Sequence, residues 1–65
     1  MADLDVLKAE IKRISFQAVQ AKMNLHDLAE DLPLNWELIP ATAARAYEIY
    51  RDLETKRAVM KEMGA

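Results

Sequence analysis

Apolar residues along the first half of the chain recur at alternating spacings of three and four: Leu4, Leu7, Ile11, Ile14, Ala18, Ala21, Leu25, Leu28 and Leu32. A run of this kind is the seam of an α-helix that packs along its length against another helix. Asp3 is placed to cap the N-terminus, Asp5 suits the positive end of the helix dipole, and Pro33 disfavours helical geometry at Leu32. The pattern predicts a first helix over about residues 3–31, more than roughly 40 Å long at ~1.5 Å per residue. Alanine at the middle layers, Ala18 and Ala21, lets a facing helix approach more closely than leucine would. A second apolar set, Phe16, Val19 and Met23, lies almost opposite that seam at ~100° per residue. One partner helix cannot cover both.

Between Pro33 and Pro40 the chain has little room for anything but a turn, expected at about residues 32–39. Asn35 offers a cap, and Pro40 suits the first position of a second helix running to about residue 62. Ala43, Ala46, Ile49, Tyr50, Leu53, Met60 and Met63 share one side of that helix. Arg45, Glu48, Arg51, Asp52, Lys56 and Glu62 lie elsewhere on it. A short connection makes the two helices antiparallel neighbours, so the expected fold is all-α: a two-helix hairpin in a single domain spanning residues 1–65. Two amphipathic helices leave apolar edges wet, and pairing of two hairpins into a dimeric four-helix bundle is the simplest closed arrangement.

Composition supports helix over strand. The chain has 65 residues with 11 alanines, one glycine and two prolines, which leaves almost no turn chemistry for hairpin strands. Without cysteine there is no disulfide, thiolate site or thiol nucleophile. A net charge of −2 argues against bulk attraction to nucleic acid or to an anionic membrane. No segment reads as a signal peptide or a membrane span, and cytoplasmic localisation is expected.

The chain offers little for catalysis. Ser15 is its one serine, Gly64 its one glycine, and no phosphate loop or nucleophile–base–acid set is present, so no enzyme activity is expected. His26 is the sole histidine and lies one helical turn from Glu30. The pair supplies two ligands to a metal if a second copy supplies two more; a solvated histidine is the plainer reading, and no cofactor is expected. Asp27, Glu30 and Asp31 crowd the negative end of the first helix, where acids are disfavoured, unless the start of the second helix lies alongside and compensates. Leu34 and Trp36 fall at the hairpin tip. Trp36 is expected to fold back over the end of the helix pair, the other reading being a partner anchor. Phe16 has Lys12, Arg13, Gln17 and Gln20 around it, a setting for stacking on RNA, whereas the stripe through Val19 and Met23 favours protein. The candidate partner-binding set is therefore Phe16, Val19, Met23, His26, Asp27, Glu30, Asp31, Leu34 and Trp36.

The block Gln20-Ala21-Lys22-Met23-Asn24-Leu25-His26-Asp27-Leu28-Ala29-Glu30-Asp31-Leu32-Pro33, followed by Trp36-Glu37, Ile39-Pro40, Ala46-Tyr47 and Tyr50, resembles a known family. It is similar to the small nitrogen-fixation-associated helical hairpins, called Rop-like and including those of the nitrogenase-associated factor T type. The resemblance runs from Leu7 to about Arg57. It implies an accessory protein of nitrogen fixation whose partner is the nitrogenase molybdenum-iron protein or its cofactor-assembly machinery. It carries over no catalytic residue. The Rop-like label expresses likeness of fold to a dimeric RNA-binding plasmid protein and does not bring RNA binding with it.

Overall fold

The computed structural model describes residues 2–64, as two antiparallel helices joined at a short tip. Helix α1 spans Ala2–Asp31, a 3-10 turn covers Trp36–Leu38, and helix α2 spans Ile39–Glu62. No strand occurs among the described residues. The antiparallel sense is set by contacts such as Glu10 with Lys56 and Ala18 with Tyr50. The fold is the expected all-α hairpin, 49 Å along its longest axis.

The helix ends follow from local chemistry, with some differences from expectation. Asp3 lies inside the first turn of α1, together with Asp5, and so acts on the helix dipole instead of capping it. Asn35 makes no side-chain cap. Its backbone is left-handed, at φ 60°, a conformation asparagine tolerates better than most residues. Pro40 is the second residue of α2, not the first. Having no N–H, it gives nothing to the carbonyl of Trp36, which accepts from the Ile39 N–H instead; that closer bond makes the turn 3-10. At the far end Gly64, at φ 79°, lets its N–H reach back 3.1 Å to the carbonyl of Lys61 and close the helix.

The core is thin. Ile14, Ala18, Ala21 and Leu28 of α1 are buried with Ala46 and Leu53 of α2, and Ile11 and Ile49 pack against the Ile14, Ala18 and Leu53 cluster. The α1 seam is the buried line read from the sequence, loosening toward the tip, where Leu25 and Leu32 are 38% and 40% exposed. The α2 seam needs correction. It follows Thr42, Ala46, Ile49, Leu53, Lys56 and Met60, with Thr42 and Lys56 half-buried, whereas Ala43 and much of Tyr50 and Met63 face outward. Two polar residues on the seam had hidden its register.

Lys56 occupies the seam by lying along it and lifting its ammonium out. Its Nζ sits 3.4 Å from Glu10 Oε2 and 3.8 Å from Asp52 Oδ1. Because both partners retain access to water, a double-mutant cycle of Lys56→Ala and Glu10→Ala is expected to give a coupling of about 0.2–1 kcal/mol that shrinks with added salt. A coupling unaffected by salt would contradict a solvent-screened pair.

The hairpin exposes 5282 Å², against about 4,200 Å² for a globular monomer of its 7.4 kDa mass. Neither helix is long and apolar enough to cross a membrane.

Candidate protein-docking surface

With the α1 seam turned toward α2, heptad geometry puts Phe16 and Met23 on the far side of the helix and Val19 beside them. They are 80%, 54% and 55% exposed, respectively. Isolated exposed apolar residues are ordinary; three on one helical stripe form a patch. Gln20, on the same outward half, donates from Nε2 to Asn24 Oδ1 at 3.1 Å.

At the tip, Trp36 does not plug the helix pair as expected. It is 62% exposed, with Leu34 at 70% and Leu38 at 53%. The 3-10 turn aims these side chains outward, because a short turn entering directly into α2 leaves no chain with which to fold the indole back over the helix ends. Asp27, Glu30 and Asp31 are all exposed, and no basic side chain of α2 comes within ion-pair distance of them. Asp27 and Glu30 have His26 beside them, with Nδ1 3.6 Å from Asp27 Oδ1 and Nε2 3.5 Å from Glu30 Oε1. Among the described residues no three His, Asp or Glu side chains converge on a point where a metal would sit. A metal at His26 and Glu30 therefore has two ligands from one chain at most.

The structure also assembles a feature that the sequence pattern did not single out. A groove of about 580 Å³ runs beside the helix seam, lined by Leu25 and Lys22 from α1 and by Ala43, Ala46, Tyr47, Tyr50, Arg51 and Glu54 from α2. Its walls are ordered by two contacts. Tyr50 Oη donates to the backbone carbonyl of Ala18 at 3.1 Å, and the Arg51 guanidinium lies 5.6 Å from the centre of the Tyr47 ring. The Ala18 and Ala46 layers leave the floor low. The available signal was the pair Tyr47 and Tyr50 at i, i+3, whose meaning depends on knowing that α2 turns Thr42 and Lys56 inward.

Residues 2–65 match the family model described as Rop-like. A UPF0437 protein of Azorhizobium caulinodans is 51% identical over 65 residues, covering 100% of this chain and 94% of the relative. A UPF0437 protein of Trichormus variabilis is 43% identical over 60 residues, covering 92% of this chain and 70% of that protein. A third, from Frankia alni and described as a UPF0437 protein in the nifX-nifW intergenic region, is 38% identical over 53 residues, covering 78% of this chain and 65% of its own length. No solved structure matches the chain significantly. A helical hairpin matched over almost its whole length by this model, with relatives at these identities, belongs to the Rop-like family.

Proposed function

We propose that this protein is a non-enzymatic accessory factor of nitrogen fixation, acting in the cytoplasm. Its partner in this reading is the nitrogenase molybdenum-iron protein or an intermediate in the assembly of its cofactor. The observation that carries a binding role is the exposed stripe of Phe16, Val19 and Met23, together with the outward Leu34 and Trp36. The nitrogen-fixation context is supported by the family resemblance and by the description of the Frankia alni relative as lying between nifX and nifW. A small helical clamp of this kind acts by occupancy: binding one state of a client stabilises that state by mass action, without chemistry of its own.

Affinity purification from nitrogen-fixing cells tests the reading. Tagged wild-type protein is expected to recover the molybdenum-iron protein or its assembly factors. Phe16→Ser with Met23→Ser is expected to lose that recovery while changing hairpin stability by no more than about 0.5 kcal/mol per site, as exposed positions do. Recovery of neither client by the wild type would refute the assignment.

One observation favours a structural homo-oligomer as the second reading: the surface of 5282 Å² is about a quarter more than a globular monomer of this mass exposes. A four-helix bundle of two hairpins would absorb that excess. Sedimentation separates the readings, since a folded monomer at all concentrations removes the oligomer.

A further inference from the structure

Once the seam is known, the two flanks of the hairpin carry opposite charge. On the groove side, heptad positions next to the seam hold Lys8 and Lys22 of α1 and Arg57 of α2, with Arg51 behind Tyr47. Glu54 is the one acid lining the groove. On the other flank the corresponding positions hold Glu10, Asp31 and Asp52, with Arg45 among them, and Glu48 lies further out on the same side. Lys56, the seam lysine, leans to that acidic side, toward Glu10 and Asp52. Lys8, Lys22, Arg51 and Arg57 take part in no ion pair among the described residues. A net charge of −2 conceals this division.

The groove is the right size for a helix. Its main part, from Leu25 and Ala43 to Glu54, continues through Tyr50 and Glu54 into a second depression reaching Arg57. From Ala43 to Arg57 this is about 20 Å at ~1.5 Å per residue, or roughly four helical turns. Leu25 and Ala46 form an apolar floor, and Tyr47 and Tyr50 supply the amphipathic aromatic wall typical of binding anchors. A third helix laid there would pack against both others at the usual 8–10 Å between axes.

From the groove and its unpaired cations we infer that this face binds an acidic amphipathic helix of a partner protein, about four turns long. Its apolar stripe meets Leu25, Tyr47 and Tyr50, and its carboxylates meet Lys22, Arg51 and Arg57. A second copy suits this face less well: two-fold pairing through it would bring together two surfaces on which Lys22, Arg51 and Arg57 outnumber the single acid Glu54. The inference rests on the groove alone and stands apart from the outward stripe used for the function above.

The test uses the full chain and three probes: a labelled synthetic amphipathic peptide with leucines at helical spacing and glutamate flanks, the same peptide with lysine in place of glutamate, and polyuridylate. Fluorescence anisotropy is expected to show binding of the acidic peptide, weakening with salt. Lys22→Glu combined with Arg51→Glu is expected to reduce it by on the order of tenfold or more, while Glu48→Lys on the opposite flank leaves it intact. Circular dichroism establishes that the variants keep their helices, as exposed positions permit. The inference is overturned if both peptides bind alike, if the double variant binds as the wild type does, or if polyuridylate binds more tightly and loses affinity in the same variant. It is equally overturned if sedimentation shows the wild type self-associating and the double variant monomeric, for then a second copy is the occupant.

Discussion

Leu53→Ala is expected to destabilise the hairpin by about 2–5 kcal/mol and to leave much of the chain unfolded at room temperature. Leu53 is 5% exposed and is the one large α2 side chain in the central cluster, where it packs on Ile14 and Ala18. Its neighbours in that layer have little freedom to close the gap. Ala18 is already minimal, and Ile14 is fixed on a rigid helix. A core in a chain this short supplies no more than about 3–5 kcal/mol in total, so the loss is comparable with the whole stability. Urea unfolding followed by far-UV circular dichroism measures it, with Val59→Ala, which is 43% exposed, as the control expected to stay within about 0.5 kcal/mol. A shift for Leu53→Ala as small as the control's would mean that this layer does not hold the helices together.

The opposite change in the same layer is expected to be harmful too. Ala18 is 2% exposed, and its carbonyl accepts the hydrogen bond from Tyr50 Oη. Ala18→Leu adds three carbons where Ala18 is packed against Leu53 of α2, so either the helices separate or side chains leave their preferred rotamers. Overpacking of this kind costs about 1–3 kcal/mol, although leucine is itself a good helix former. Separation would also pull Tyr50 from the Ala18 carbonyl and reshape the groove wall. The matched control is Ala9→Leu on the exposed side of α1, expected to be nearly neutral. If Ala18→Leu raised the denaturation midpoint, the alanine waist would not be a site of close approach.

Much of the fold is legible in the residues because it depends on local rules. The three-and-four spacing from Leu4 to Leu28 identifies the buried line of α1, and Pro33 and Pro40 bracket the tip. The register of α2 is less legible. Lys56 reads as an outward residue and Thr42 does not mark the apolar stripe, yet both lie on the seam because a four-carbon stem and a methyl group can cover apolar neighbours while the polar end escapes. The position of Trp36 was misleading for a related reason: a large aromatic is usually drawn inward, but the 3-10 turn offers no second layer to receive it.

By itself, then, the sequence determined that there are two helices, where the chain reverses, and that Phe16, Val19 and Met23 lie off the α1 seam. These are properties of one segment at a time, governed by helical period, proline and propensity. Tertiary structure alone decided how α2 is rolled against α1, with Thr42 and Lys56 on the seam and Ala43 and Tyr50 to one side of it. That pairing brings Tyr47, Tyr50 and Leu25 to one groove and sorts the basic and acidic residues onto opposite flanks. The reason is that a groove between two helices belongs to neither: its walls come from residues far apart along the chain, and rotating α2 by a single residue would replace them.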